Sequence, residues 1–219
     1  MSVAALAKHW FSHSFKLHYF MEMQLGVSKR NLLHTLRFRQ FNTWSCPLHW
    51  LEEQVKTKTR MPHDRIIHIP SGLELAPLQQ ALSKEEARRM LEVPQSEILI
   101  GLAGRFDPQK GQLLLLEAAK QLPDQSFGMV LLGAPTHNER ESYHQEMLDL
   151  IETAGLSDRV FVRQFRNDIQ TFYKAIDAFV MASKAETFGM VTIEAMACGT
   201  PVIGSNAGGT PELLKFGAL

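Results

Sequence analysis

From residue 65 onward, short apolar runs alternate with helical patterns, and that alternation confines the chain to few folds. RIIHIPSG (65–72), EILIGLAG (97–104), FGMVLLG (127–133), RVFVRQF (159–165), AFVMAS (178–183) and TPVIGS (200–205) have the length and apolar content of strands. Helical patterns separate them: LQQALSKEEARRMLEV (78–93), GQLLLLEAAKQL (111–122), ERESYHQEMLDLIETAG (139–155) with Gly155 as its stop, DIQTFYKAI (168–176) and MVTIEAMAC (190–198). TPELLKF (210–216) starts one more, with Thr210 as N-cap and Pro211 in the first helical position. The spacing predicts an α/β fold, a Rossmann-like parallel sheet with helices on both faces. Ligands of such sheets bind beyond the carboxyl ends of the strands, so function is expected in the loops there.

The first 60 residues differ in composition. They carry nine Lys/Arg against three Asp/Glu, five of the nine histidines and nine of the nineteen aromatics, in a chain of zero net charge. A basic, aromatic segment can touch nucleic acid or a membrane surface. No nucleic-acid motif accompanies it, so the expectation is no nucleic-acid partner and a segment that belongs to another domain or lies over one. Peripheral membrane contact through residues 1–60 stays open at this point. RNLLHTLRFRQF reads as an amphipathic helix, and WSCPLHWLEEQVK as a strand end followed by a helix. The expected division is 1–60 as a remnant of a preceding domain or a linker, and 61–219 as the Rossmann-like domain. No apolar run approaches the ~18 residues of a membrane span. The start, MSVAALAKHWFSH, lacks a basic n-region and is a poor signal peptide. Cys46 and Cys198 lie far apart in no metal-like spacing, and Cys198 reads as a buried thiol. A reducing, cytoplasmic location is expected, with membrane association possible through the first 60 residues.

Three loops carry chemistry. In GLAGRFDPQKGQ (101–112) a strand ends at Gly104, Arg105 follows, and Lys110 opens a helix. An Arg fork and a Lys ammonium beside a helix N-terminus suit a diphosphate, although both would also be ordinary on an exposed turn. The segment is neither a Walker loop nor a G-x-G-x-x-G dinucleotide fingerprint. In ASKAETFGMVTIEAMACG (182–199), Glu186 precedes a helix and Glu194 lies within it. Carboxylates that accept from hydroxyls suit a polyol such as a sugar or ribose, and free N–H groups near Gly189, Met190 and Val191 would point at a ligand. The alternative is a helix carboxylate at Glu194 and a dipole partner at Glu186. In GSNAGGTPEL (204–213), Gly208 and Gly209 let main chain approach a ligand, or simply make a turn.

As an ordered set, IPSGLEL (69–75), GLAGRFDPQKG (101–111), VLLG (130–133) and AETFGMVTIEAMACGTPVIGSNAGGTPEL (185–213) resemble the retaining glycosyltransferases of GT-B fold, family 4, also called glycosyl transferases group 1. The last segment matches that family's E-x7-E motif, with Glu186 and Glu194 at its ends. The resemblance implies the donor half of such an enzyme, with a nucleotide-diphosphate sugar as donor substrate and no cofactor. By resemblance, Arg105 and Lys110 bind the diphosphate and Glu186 meets hydroxyls of the transferred sugar, these three being the catalytic set. Glu194 holds the ribose, and main chain at Gly104 and from Phe188 through Gly189 and Met190 to Val191 assists sugar and phosphate. Gly208 and Gly209 complete the donor site, and the base lies near Arg163 to Arg166, with Arg166 a donor-binding residue.

The family has two Rossmann-like domains, and residues 1–60 match at most the tail of the first. The family pattern also continues beyond FGAL, so the sheet is expected to be truncated at its C-terminus. His9 is a candidate for a first-domain histidine near the reacting carbon. The chain has no D-x-D, the motif of metal-using transferases of another fold, so no metal is expected. The acceptor, whether glycan, lipid or small molecule, is not specified. Two other readings stand beside the transferase: a truncated nucleotide-sugar-binding module without catalysis, and a sugar-nucleotide epimerase or glycosyl phosphorylase of related fold.

Overall fold

The computed structural model describes residues 2–10, 15–122, 127–135 and 141–215; the side chain of His9 lies outside the described part. The chain divides into two compact units, Met1–Gly72 and Leu73–Gly217.

The first unit runs α1 (Ser2–Trp10), β1 (His18–Phe20), α2 (Leu32–Phe38), β2 (Thr43–Cys46), α3 (His49–Lys58) and β3 (Ile66–His68). Its three strands are parallel in the order β1-β2-β3. Trp44 is fully buried, with the rings of Tyr19 and Phe38 edge-on to it at 4.7 and 5.0 Å and Phe41 at 6.3 Å. Much of the aromatic content of the first quarter is therefore core. Asn31 caps α2 by accepting the His34 N–H, and this helix buries Thr35 and Phe38 while Leu32, Leu33 and Leu36 stay exposed. The unit break follows Gly72 and not residue 60. The segment 65–72, expected in the second domain, supplies β3, which pairs with β2 so that Ile66 lies beside Trp44. The change of composition near residue 60 falls inside a βαβ crossover made by α3, and so does not mark the boundary.

The second unit contains α4 (Leu75–Leu78), α5 (Lys84–Leu91), β4 (Ile98–Ala103), α6 (Gln112–Lys120), β5 (Phe127–Gly133), α7 (Glu141–Thr153), β6 (Val160–Gln164), α8 (Ile169–Ala175), β7 (Ala178–Met181), α9 (Met190–Ala197), β8 (Val202–Gly204) and α10 (Thr210–Leu213). All five strands are parallel, in the order β6-β5-β4-β7-β8. The chain starts at the central β4, builds outward to β6, then returns to the other side of β4. The pairing of β4 with β7 is therefore a topological switch point, where open sheets of this kind take ligands.

The alternation of a strand explains the two cores. On β5, Val130 and Leu132 face a cluster with Leu91, Leu99, Phe172 and Phe179, whereas Met129 and Leu131 face one with Leu116, Met147 and Ile151. Helices α5, α8 and α9 thus cover one face, and α6 and α7 the other. A sheet buried on both faces reads as a continuous apolar run, which is what FGMVLLG is.

Two local expectations are corrected. LQQALSKEEARRMLEV is not one helix: α4 ends at Leu78, and α5 begins after Ser83, which forms a capping box with Glu86. The S-x-x-E signature was present in the sequence. Thr210 is the first residue of α10 and Gly209 its N-cap, one position earlier than expected. Both cysteines are free thiols, Cys46 buried and Cys198 half-buried at the end of α9. Burial pushes the Cys46 thiol up to about 12 and raises that of Cys198. No helix among the described residues is long and apolar enough to cross a membrane.

Asp177, just before β7, ties three elements together at the amino end of the sheet. Its carboxylate accepts from the Leu99 N–H of β4 at 2.7 Å, from Arg88 of α5 at 2.8 Å and from Lys84 at 2.6 Å. Arg88 is buried, and its remaining donors reach the carbonyls of Ala175 and Gln95. Burial pushes the Asp177 carboxyl up, but Lys84, the Leu99 N–H and Arg88 together hold it below its ordinary value. Asp177→Asn is expected to lower unfolding free energy at neutral pH by about 2–4 kcal/mol, since buried Arg88 loses its counter-ion. A lowered folded-state pKa contributes stability above the unfolded value that is lost as pH falls through the folded one. The gap between wild type and Asp177→Asn in denaturant titrations should therefore be full at pH 6–7 and shrink below about pH 4.

Candidate active site

The loop after β4 is built by its own hydrogen bonds. The Phe106 N–H donates to the Ala134 carbonyl at 3.0 Å, carrying the loop along the exit of β5. Buried Asp107 then turns it: its carbonyl accepts the Lys110 N–H at 2.8 Å and its Oδ1 the Gln109 N–H at 2.9 Å. Buried Gln112 donates to the Arg105 carbonyl at 2.8 Å and accepts from the Tyr143 hydroxyl. Gly111 precedes α6 with φ +82°, and a Cβ there would lie 2.3 Å from the Ala182 carbonyl oxygen. Only glycine lets α6 begin this close to the exit of β7. The result aims Lys110 across to the second loop, where its Nζ lies 2.7 Å from Glu186 Oε2.

Glu186 is held from behind by the third loop. The Gly209 N–H donates to its carbonyl at 2.8 Å. Gly208, with φ +62°, packs so closely that a Cβ would lie 2.2 Å from the same oxygen. The Ser183 hydroxyl donates to Glu186 Oε2 at 3.3 Å, and the Ser205 hydroxyl to the Ser183 carbonyl at 2.8 Å. Gly189, in the left-handed region, then opens α9, whose first N–H groups have no intrahelical partner. Glu194 follows on α9 and accepts from the Tyr173 hydroxyl at 2.9 Å.

A cavity of about 550 Å³ lies at the carboxyl ends of β4, β5 and β6. Of the residues expected from sequence, Gly104, Arg105, Lys110, Arg166, Val191 and Glu194 line it, and Glu186 adjoins it through Lys110. Phe188 and Gly189 lead into α9 and Met190 is its first residue; these three are not in the cavity wall. Gly208 and Gly209 contact the Glu186 main chain and do not line the cavity. The expected cluster from Arg163 to Arg166 splits. Arg163 bonds the carbonyls of Leu91 and Glu92 at the end of α5, at 2.6 and 2.7 Å, and serves as a helix cap. Arg166 lines the cavity with its guanidinium held bidentate by Asp168 at 2.9 and 2.6 Å. That hydrogen bond keeps the Asp168 carboxyl below its ordinary value. Arg105 is 62% exposed and 3.8 Å from Asp107, so its fork can turn to a ligand.

Sequence reasoning missed Asn167 and Ile169 in the cavity wall, and it missed Tyr173 behind it. No local pattern could have paired Tyr173 with Glu194, because the two meet only when α8 and α9 pack on one face of the sheet. Chemically, the site offers cations and helix N-termini to an anion and two fixed carboxylates to hydroxyl groups.

Comparison with known proteins agrees with this architecture. Residues 83–218 match the model of the family described as Glycosyl transferases group 1. A D-inositol 3-phosphate glycosyltransferase of Mycobacterium sp. (strain KMS) is 30% identical over 75% of this chain and 37% of its own length. The lipopolysaccharide core biosynthesis mannosyltransferase LpsB of Rhizobium meliloti is 30% identical over 72% of this chain and 44% of its own length. The crystal structure of Anabaena HepE in complex with UDP and glucose superposes with a TM-score of 0.83 at 27% identity, over 97% of this chain and 58% of that one. The chain thus spans well under two thirds of the length of these relatives. With the match covering more than half of its residues, the chain belongs to the glycosyl transferases group 1 family.

Proposed function

We propose that this chain is the donor half of a glycosyltransferase, binding a nucleotide-diphosphate sugar for transfer to an acceptor with retention of configuration and without a metal ion. The observation that carries the reading is the Lys110–Glu186 pair at the switch-point cavity, with Glu194 in the same cavity's wall. In such a transfer the bond from the anomeric carbon to the diphosphate breaks. A bond to an acceptor oxygen forms on the same face, and the acceptor proton passes to an oxygen of the departing diphosphate. Negative charge grows on the leaving diphosphate and positive character on the sugar. Lys110 and Arg105 would stabilise that diphosphate electrostatically, aided by the free N–H groups at the start of α9. An ammonium has three donors, so Lys110 can keep Glu186 while it meets a phosphate oxygen. Glu186 would then accept from hydroxyls of the transferred sugar, and Glu194 from those of the ribose. Fixed cations in this position can do the work of a divalent ion. HepE in complex with UDP and glucose supports a uridine donor as the first to test.

Calorimetric titration of UDP-, GDP- and ADP-sugars is expected to show binding of at least one. Lys110→Ala should weaken it by about 100-fold, since a phosphate charge loses its partner, and Glu194→Ala by about tenfold. Failure of all three donors to bind would overturn the donor site. Binding without hydrolysis or transfer would instead identify a nucleotide-sugar-binding module without catalysis of its own. Turnover, measured with and without a chelator, should be unchanged; a strong loss on chelation would contradict metal independence. Gly208→Ala forces a Cβ to 2.2 Å from the Glu186 carbonyl oxygen. It should therefore cut transfer at least about tenfold by displacing Glu186, with a smaller effect on nucleotide affinity.

A further inference from the structure

We propose that Tyr173 is a positioning residue for the nucleotide's ribose: its hydroxyl orients the Glu194 carboxylate toward the cavity and thereby makes the site select a ribonucleotide over its deoxy counterpart. This rests on the reading of Glu194 as the ribose ligand.

The Tyr173 ring is fully buried on α8 and cannot move independently of the core. It lies edge-on to Phe172 at 5.4 Å and to Phe179 at 5.6 Å, and its own carbonyl accepts the Thr200 hydroxyl at 2.8 Å. The hydroxyl, buried with the ring, donates to Glu194 Oε2 at 2.9 Å. Glu194 thus stands between a rigid donor on the core side and the open cavity on the other. Burial, and then the Glu194 charge, raises the Tyr173 pKa, so the hydroxyl stays a proton donor throughout the working pH range.

The consequence follows from the geometry of a carboxylate. Its terminal torsion is soft, so an untethered Glu would sample many orientations. One bond to a fixed donor removes that freedom and still leaves Oε1 and a lone pair of Oε2 as acceptors. Two neighbouring hydroxyls on a ribose can use both. Because the ordering is already made in the fold, the ligand does not have to supply it. A site built to accept from hydroxyls also rejects an analogue that lacks them, since its acceptors are then left unpaired.

The test is calorimetry on the full chain with UDP and with dideoxy-UDP, which lacks both ribose hydroxyls; GDP and ADP pairs serve equally if the chain prefers another base. Wild type is expected to prefer the ribonucleotide by about 10- to 100-fold. Tyr173→Phe keeps the ring and removes only the hydroxyl. It should leave dideoxy affinity unchanged and reduce the ribose preference about five- to tenfold. An undiminished preference in the variant would overturn the proposal, and so would an equal weakening of both nucleotides, which marks a packing effect. Should Tyr173→Phe not fold, fluorine NMR of the fluorotyrosine-labelled wild type decides. The chain has three tyrosines, assignable through Tyr19→Phe and Tyr143→Phe. The Tyr173 signal should shift with UDP and much less with dideoxy-UDP; equal shifts overturn the proposal. A wild-type chain that binds no nucleotide diphosphate of any base overturns the donor-site reading itself, and this inference with it.

Discussion

The main chain of Glu186 is the point on which the site depends. Its carbonyl takes the Gly209 N–H, Gly208 packs directly against it, and its carboxylate holds Lys110 and Ser183. Three loops that follow three different strands therefore meet at one residue. Close main-chain packing of this kind needs glycine at Gly111 and Gly208, because a single Cβ would fall well inside contact distance of a carbonyl oxygen. The glycines fix where the loops stand, and the charged side chains inherit that placement.

The parallel sheet divides its work between its two ends. At the amino end, Asp177 gathers β4, α5 and the start of β7 through a buried arginine and a main-chain N–H. That arrangement holds the strand starts and α5 together. At the carboxyl end the same strands part into loops, and the cavity opens where the winding order reverses around β4. Both faces are covered by helices, so a polar ligand can be met only at the strand ends. Placing cations on the β4 loop and carboxylates on the β7 loop and on α9 brings opposite charges together without burying either alone.

Much of this is legible in the sequence. The five strands of the second unit lie within the segments read from apolar runs, and Gly155 does end α7 in the left-handed region. Gly104, Arg105, Lys110, Val191 and Glu194 share one cavity, the first three from the loop after β4 and the last two from α9. Other readings failed for definite reasons. Gly208 and Gly209 signalled close main-chain approach correctly, but a sequence does not say what approaches, and it is Glu186 that does. Arg163 and Arg166 are three residues apart, yet one caps α5 and the other faces the cavity. Periodicity gives side-chain direction only while the strand lasts, and β6 ends at Gln164 between them. For the aromatic first quarter the sequence left membrane contact open beside membership of another domain, because the core partners, among them Tyr19 and Trp44, are 25 residues apart in sequence.

The sequence by itself determined the class of fold, the strand-end location of function and the chemical types present there. Each of these follows from local information: apolar periodicity, helix signals and charged residues next to glycine. Only the tertiary structure decided which carboxylate faces which cation, that β3 belongs with β2, and that a core tyrosine stands behind Glu194. Those pairings join residues from separate βαβ units. They are set by sheet order and helix packing, quantities to which no short stretch of chain has access.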